Sequence, residues 1–327
     1  MSNLSHSLRY LGRRLSQSIL TLVFIAVVNF CLVQMAPGDA ADVLAGEAGG
    51  ATPEYMQQIR KSFGLDQPKP VQFAIYLKHV LTFDLGYSFR NSAPVRELIL
   101  QRLGPTLLLM GTTFVLSISV GLVLGVMASS HVNTWKDTAI SILALLSYAT
   151  PLFWAGLMFI SVFALKLGWV PTGGMEKIED FNEGWSRVGD VLHHLVLPAI
   201  TLSLFYMAVY VRLIRAGMLD QTNMDYVVTA RAKGLTERRI RLRHMLRNAA
   251  LPMVTMAGVQ VGAMLGGSIV IETVFGWPGM GLLAYQALFA RDINLLLGIF
   301  LISACLVVIA NALVDVIYVV LDPRIRA

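Results

Sequence analysis

Six apolar stretches, each long enough to cross a bilayer, constrain the fold of this chain more than any other feature. A helix that spans the hydrocarbon core needs about 20 apolar residues. Because lipid offers the backbone no hydrogen-bond partner, such stretches must be helical. We therefore predict an all-α membrane protein with six transmembrane helices. The predicted spans are Leu15–Met35, Thr106–Ser130, Thr138–Leu165, Leu195–Gly217, Ala250–Ile271 and Leu295–Val320.

The composition agrees with a membrane protein and argues against several other classes. Apolar residues make up 56% of the chain and charged residues 14%, against about 25% charged residues in a soluble domain. The net charge of +6 is typical of basic cytoplasmic loops, and we expect no nucleic-acid partner. The sequence has no G-x-x-x-x-G-K-[ST] phosphate loop, no H-E-x-x-H and no G-x-S-x-G. We therefore predict no enzymatic activity, no catalytic residue and no cofactor in this chain.

The distribution of Lys and Arg predicts that both termini are cytoplasmic. Arginines precede the first span at Arg9, Arg13 and Arg14. Nine Lys and Arg residues lie from the end of the fourth span, where Arg212 and Arg215 stand, to the start of the fifth. The predicted organisation is a cytoplasmic N-terminus at 1–14, a first transmembrane helix at 15–35, an extracytoplasmic segment with short helices at 36–102, a five-helix transmembrane core at 103–320 that includes a cytoplasmic loop at 218–249, and a cytoplasmic tail at 321–327.

The segment 36–102 has the pattern of two short helices. Thr52-Pro53 is typical of a helix start and Phe63-Gly64 of a helix stop. A second helix is predicted after Pro70, with an apolar stripe at helical spacing. These helices either lie at the membrane interface or form a platform for an external partner, and the sequence leaves both open. The segment 166–193 is predicted to be a loop of the same surface.

The cytoplasmic loop combines dense positive charge with a predicted bend. Residues 223–233 favour a helix, Gly234 can end it in a left-handed conformation, and Thr236 can cap a second basic helix that runs toward Leu251-Pro252. The charge alone is compatible with a topology signal, with binding to anionic membrane lipid, or with docking on a cytosolic protein. Composition does not separate these three functions.

Five motifs resemble those of the B-type permeases of the dipeptide, oligopeptide and nickel ABC-importer family, and they occur in the same order along the chain. The resemblance covers nearly the whole chain. It departs from the general ABC-permease pattern at Val228-Thr229-Ala230, where that pattern has Glu-Ala-Ala. The motifs are Ala36-Pro37-Gly38-Asp39; Phe63-Gly64-Leu65-Asp66 with Asp84-Leu85-Gly86-Tyr87-Ser88; Asp225–Leu235 with His244–Ala249 and Leu251-Pro252; Glu272–Gly281 with Arg291-Asp292; and Asp322–Arg326.

The resemblance implies a type I ABC-importer permease fold with a cytoplasmic coupling helix. Such a subunit forms half of a translocation path in a bacterial or archaeal inner membrane. The implied partners are a second homologous permease, two ATPase subunits that bind ATP and Mg²⁺, and a periplasmic or lipid-anchored solute-binding protein. Peptides are the first substrate class implied, and nickel complexes, glutathione and oligosaccharides remain open. The implied ATPase-coupling residues are Tyr226, Thr229, Ala230, Arg231, Ala232, Lys233, Gly234 and Leu235.

Candidate residues for the translocation path lie on the third and fifth spans. Gln260, Met264 and Ser268 share one face of a helix. Pro151 and Pro198 interrupt helical hydrogen bonding, and broken helices often line transport paths. A static kink is the open alternative for both prolines.

Two other groups of polar residues give weaker indications of a functional site. Adjacent His193 and His194 point to different sides of a helix and have no accompanying ligands at metal spacing, so we predict no metal site. Asn311 and Asp315 share a face near the end of the last span, where Asp315 can pair with a basic residue or take part in proton coupling. The alternative function is a secondary transporter that works without ATPase partners.

Overall fold

The computed structural model describes residues 2–35, 57, 61, 66–88, 90–177 and 184–321. The described chain is mostly helical, as predicted, and forms two compact units. The larger unit comprises residues 1–3, 102–283 and 309–327, and the smaller unit comprises residues 4–101 and 284–308. The helix proposed between Thr52 and Gly64 falls largely outside the described residues, as does the tail at 322–327.

The helices and strands follow in chain order. They are α1 (Ser2–Met35), α2 (Lys69–Leu81), β1 (Tyr87–Ser88), β2 (Ala93–Pro94), α3 (Val95–Ser130), α4 (Trp135–Ala149), α5 (Leu152–Phe159) with a π-helical continuation (Ile160–Lys166), α6 (Trp185–Gln221), α7 (Asp225–Ala232), α8 (Glu237–Arg239) with a π-helical continuation (Ile240–Met245), α9 (Leu246–Ala249), α10 (Leu251–Phe275), α11 (Met280–Phe289) and α12 (Ile293–Leu321). The two strands pair antiparallel, with Tyr87 opposite Pro94.

Four helices of the described chain are long and apolar enough to cross a membrane by themselves. They are α3, α6, α10 and the Ile293–Val314 part of α12. The pair α4 and α5 provides a fifth span if its two helices are counted together. The apolar part of α1, Ile19–Leu32, is shorter than these spans. The sixth span and the cytoplasmic placement of the termini therefore stay predictions.

The third predicted span is not one helix. It divides at Thr150-Pro151 into α4 and α5, whose axes differ by 106°. Pro151 has no N–H to donate, and the ring of a proline pushes the preceding residue out of the helical region. Thr150 accordingly has φ −77° and ψ 127°, and Pro151 has ψ 132°. The prediction that Pro151 interrupts the helical hydrogen bonding of this span is confirmed, and the interruption is a break between two helices rather than a kink in one.

The fourth span begins earlier than predicted. Helix α6 starts at Trp185, so the predicted loop at 166–193 contains the first turns of a helix. Pro198 lies inside α6 without ending it, and Pro105 lies inside α3, which begins at Val95 rather than near Thr106. The first turns of both helices contain polar residues, so a prediction based on the length of apolar stretches did not include them.

Close approach of α3 and α6 organises the interior of the larger unit. A Cβ atom on Gly121 would lie 2.5 Å from Cβ of Tyr210, and one on Gly125 would lie 2.7 Å from Cβ of Ile214. Small residues let helix backbones approach closely in membranes. The Gly121–Gly125 stretch therefore serves helix packing within the chain.

Helix α2 in the smaller unit confirms the predicted helix after Pro70. Its apolar stripe is only partly covered, since Val71 is 42% exposed and Leu81 is 82% exposed. Gln72 is the buried residue of this helix. The stripe is therefore less buried than its spacing indicates.

Candidate functional site: the coupling segment

The segment between α6 and α10 consists of two short helical pieces joined by a tight turn at Gly234. Helix α7 ends after Ala232, and Gly234 follows with a φ of +76°. The Leu235 N–H donates to the Ala230 carbonyl at 3.3 Å and the Gly234 N–H to the Arg231 carbonyl at 2.9 Å. This pair of bonds is a Schellman motif, which needs a left-handed residue at the position of Gly234. The predicted glycine stop is confirmed.

The second piece runs from Glu237 to Ala249 through α8, a π-helical stretch and α9. Thr236 occupies the N-cap position with φ −67° and ψ 142°, but its side chain makes no capping hydrogen bond. The prediction that Thr236 caps by its hydroxyl was wrong. The backbone geometry of the turn is sufficient to start the helix there.

The inner face of α7 is part of the core of the larger unit. Val227 is 0% exposed and Ala230 is 6% exposed, and both pack in one apolar cluster with Ile240 and Met245 of the second piece. Ala230 was predicted to be an anchor for a partner. Because it is buried within its own chain, it anchors the segment to the permease instead.

The outer face of α7 carries an exposed apolar stripe. Met224 is 46% exposed and Val228 is 55% exposed, and Ala232 is exposed one turn further along. The spacing of four residues places all three on one side of the helix. Sequence reasoning missed Met224 and Val228 because it selected anchors by residue type and resemblance rather than by which side faces outward.

The polar residues of the segment make contacts within the chain. The Arg231 Nε–H donates to Glu237 Oε1 at 2.7 Å, and the Tyr226 hydroxyl donates to Gln221 Oε1 at 2.6 Å. The hydrogen bond from Arg231 lowers the pKa of the Glu237 carboxyl below its usual value, and the nearby Arg241 adds to this effect. Arg231 was predicted to meet acidic residues of a partner, whereas here it holds the two pieces of its own segment together.

The remaining predicted coupling residues lie around the turn. The Thr229 hydroxyl donates to the Asp225 carbonyl at 2.8 Å and so is used inside the helix. Lys233 and Gly234 are exposed, and Leu235 is half-buried against the apolar cluster. The structure therefore brings the predicted coupling residues together on one bend but divides them between an inner and an outer side.

Two contacts connect this segment to α6, and α6 in turn to α4. A Cβ on Gly217 of α6 would lie 2.9 Å from the Ala249 carbonyl oxygen, so the end of the second piece packs directly on α6. Two N–H groups of Arg215, also on α6, donate to both carboxylate oxygens of Asp137 at 2.7 and 2.8 Å. Such bidentate pairs fix geometry as well as adding free energy. The segment is thus attached to α6, which is in turn locked to α4.

The residues predicted to line the translocation path lie in different surroundings. Gln260, Met264 and Ser268 do share one face of α10, and that face is buried in the chain, at 5%, 1% and 1% exposure. Gln260 Oε1 is buried with no hydrogen-bond partner in the part of the chain that the structure describes. Pro151 is exposed at the α4–α5 break. No open path lies along these three α10 residues in the described chain.

A buried carboxylate lies near the C-terminal end of α10. Glu272 is 0% exposed, and its carboxylate accepts hydrogen bonds from the Thr106 hydroxyl at 2.8 Å and the Leu282 N–H at 3.0 Å. A Cβ on Gly279 would lie 2.4 Å from Glu272 Cδ, so only glycine fits where the loop wraps the carboxylate. The Trp277 indole N–H donates to the Pro105 carbonyl at 2.9 Å. This arrangement explains why the motif 272–281 has its acid, tryptophan and glycines.

The two adjacent histidines have structural partners. A ring nitrogen of His193 lies 2.9 Å from the Trp169 carbonyl oxygen, and a ring nitrogen of His194 lies 2.9 Å from the Asp190 carbonyl oxygen. Both rings therefore act in local packing of α6. The side chain of Asp315 lies outside the described residues, so its predicted role stays open.

Comparisons with known proteins agree with the arrangement of helices and segment. The family described as binding-protein-dependent transport system inner membrane component matches residues 121–327, and the N-terminal membrane component of the same systems matches residues 7–110. A Brucella ovis protein named as a peptide permease is 40% identical over 98% of this chain and 99% of its own length. An oligopeptide transport system permease protein of Bacillus subtilis is 38% identical over 97% of this chain and 99% of its own length.

A solved structure supports the fold independently. The inward-facing MetNI methionine ABC transporter matches with a TM-score of 0.56 at 16% identity, over 69% of this chain and 96% of the matched chain. At this identity the match supports the fold alone. The family matches and the apolar helices identify a multi-pass protein of the bacterial inner membrane. The chain belongs to the family of binding-protein-dependent transport system inner membrane components, the permease subunits of ABC importers of the peptide and oligopeptide type.

Proposed function

We propose that this chain forms half of the translocation path of a peptide importer and that residues 224–249 couple the path to ATP hydrolysis on partner subunits. The observation that carries the proposal is the two-sided bend at Gly234. Its inner side is fixed to the core through Val227 and Ala230, while its outer side exposes Met224 and Val228. A segment built in this way transmits displacement without deforming.

The outer side of the bend fits docking of a helix into a groove on an ATPase subunit. Apolar residues four apart provide anchors for such docking, and Lys233 and Arg238 are exposed beside them to meet acidic groups. The chain has no phosphate loop, so ATP and Mg²⁺ bind to two partner ATPase subunits. A second homologous permease supplies the other half of the path, and a periplasmic or lipid-anchored binding protein delivers the solute.

Movement of the segment reaches the membrane helices through α6. Gly217 contacts Ala249, and Arg215 holds Asp137 at the start of α4. The Oε1 of Gln260 is buried with no partner among the described residues. It supports a role for α10 in the path, because a water or a solute group in an open path would supply the missing partner. In this proposal Gln260, Met264 and Ser268 become accessible when the path opens.

The peptide assignment rests on the two relatives named as peptide and oligopeptide permeases. Vesicles that contain this chain with its second permease, ATPases and binding protein should take up labelled tri-alanine only in the presence of ATP. The chain alone should give no uptake. Uptake by the chain alone, driven by an ion gradient, would contradict the proposal and favour a secondary transporter.

A further inference from the structure

The exposed side of α6 carries an arginine that pairs with no carboxylate among the described residues. Arg212 is exposed, and its Nε–H lies 3.4 Å from the Ala208 carbonyl oxygen of its own helix. In the described part of the chain it forms no ion pair, whereas Arg215, three residues later, is paired with Asp137. The two arginines therefore differ in their electrostatic partners, which their sequence positions do not reveal.

Arg212 follows a long uncharged stretch, which places it where the apolar region of α6 ends. No charged residue occurs from Val191 to Val211. A charged residue at such a position faces the bundle interior, a water-filled cavity or the lipid headgroups. Its neighbours decide among these surroundings.

The Tyr148 ring, itself stacked on Phe205, lies against the Arg212 side chain. Its guanidinium carbon lies 4.9 Å from the centroid of the Tyr148 ring, and Tyr148 stacks on Phe205 with centroids 5.1 Å apart and planes at 14°. A guanidinium that lies over a ring keeps its edge N–H donors free. Tyr148 is 45% exposed, and its hydroxyl has no hydrogen-bond partner within the described ranges. Arg212 and Tyr148 thus present unused donors to the same surface.

The site lies beside the broken span. Tyr148 is in the last turn of α4, directly before Thr150-Pro151 and the 106° bend. Non-helical backbone at membrane depth is tolerated only where it is buried in protein or lines a water-filled cavity. The break therefore favours an aqueous surface over a lipid-facing one at Tyr148.

We propose that Arg212 and Tyr148 form a subsite for the carboxylate of the solute as it leaves the translocation path. This inference rests on the proposed function, because it requires the path to run past α4 and α6. A guanidinium and a phenol together suit a carboxylate, through charge and two directions of hydrogen bonding. The subsite favours peptides with a free C-terminus over amidated ones.

A thiol beside the site tests the inference without requiring transport. Ala149 is exposed next to Tyr148, so Ala149→Cys, in a chain with Cys31→Ala and Cys305→Ala, reports on the site in the purified, nucleotide-free complex. An anionic methanethiosulfonate reagent should modify this thiol several-fold faster than a cationic one, relative to their rates with a free thiol. Arg212→Gln is the matched control and should remove the preference. Millimolar tri-alanine should slow the anionic reagent, and tri-alanine amide should not.

With the membrane lipid held constant, three results would overturn the inference. They are no modification by either reagent, a preference that persists in Arg212→Gln, and equal protection by the acid and the amide. A preference that changes when phosphatidylglycerol is replaced by phosphatidylcholine would assign the site to lipid phosphate and also overturn it. In reconstituted vesicles, Arg212→Gln should lower tri-alanine uptake about tenfold, with ATP hydrolysis unchanged. A wild-type complex that takes up no tri-alanine counts against the proposed function, while the thiol measurement still decides the subsite.

Discussion

The Arg231 guanidinium and the Glu237 carboxylate meet across the turn at Gly234, with Nε and Oε1 2.7 Å apart. The contact closes the bend between the two pieces of the coupling segment from its outer side. Glycine geometry and apolar packing hold the same bend from within. The predictions below separate these contributions.

Replacing Gly234 tests the shape of the bend. Gly234→Pro removes the N–H that donates to Arg231 and cannot adopt a φ of +76°. We expect ATP-driven uptake to be lost while the protein remains in the membrane. Gly234→Asn is the control, because asparagine tolerates the left-handed region and no atom of the described residues lies within 4 Å of a Cβ there. Equally high ATP-driven uptake by the two variants would show that coupling does not need the bend.

Acidification tests the ion pair across the turn. Arg231 lowers the pKa of Glu237, so the carboxylate stabilises the bend above the pKa of the unfolded chain, and this contribution is lost as the pH falls through the lower folded pKa. Hydrogen exchange of amides 231–239 should therefore show extra opening under acid conditions. Glu237→Gln should open the bend at neutral pH and remove the acid-dependent step. An identical pH profile in both proteins would contradict this role.

The Asp137–Arg215 pair should matter for stability more than a surface pair. The Asp137 side chain is 6% exposed and that of Arg215 is 31% exposed. Leaving one buried charge unpaired costs about 3 kcal/mol, the lower end of the known range because Arg215 is partly solvated. Thermal unfolding of the detergent-solubilised protein should show a larger loss for Asp137→Ala than for the double variant Asp137→Leu/Arg215→Met. A double variant less stable than the single one would contradict this account.

Two glycines of the chain provide a matched test of the Glu272 contacts. A Cβ on Gly279 would clash with the Glu272 carboxylate at 2.4 Å, whereas a Cβ on Gly266 of the same region meets nothing within 4 Å. Gly279→Ala should destabilise the protein by about 1–3 kcal/mol, and Gly266→Ala should be close to neutral. Thermal unfolding measures both. Similar stability of the two variants would argue against close packing at Gly279.

The sequence was most informative where one residue type is physically required. Gly234 could be predicted because a left-handed turn after a short helix favours glycine, and apolar length located the long helices. The orientation of α7 could not be predicted, since an eight-residue helix with small apolar residues on several sides has no decisive periodicity. For that reason Ala230, which was expected to meet a partner, lies on the inner side of α7, while Val228 lies on its outer side.

Other misses have similar physical causes. The effect of Pro151 depends on whether neighbouring groups satisfy the freed carbonyls, and the same residue type leaves α6 continuous at Pro198. The role of Glu272 depends on contacts with Thr106, 166 positions away, which no local pattern reveals. An acid inside an apolar span followed by Gly276-Trp277-Pro278-Gly279 was the available signal.

Cross-linking at Val228 tests the central claim most directly. A photo-cross-linking residue at position 228, in membranes that contain the whole complex, should form an adduct with the partner ATPase, identified by mass spectrometry of its phosphate-loop peptide. The same cross-linking residue at Leu100, which is 59% exposed in the first turns of α3, should form none. An ATPase adduct from position 228 that is absent from position 100 is the result our account predicts. No ATPase adduct at position 228, in a complex that still performs ATP-driven uptake, would contradict it.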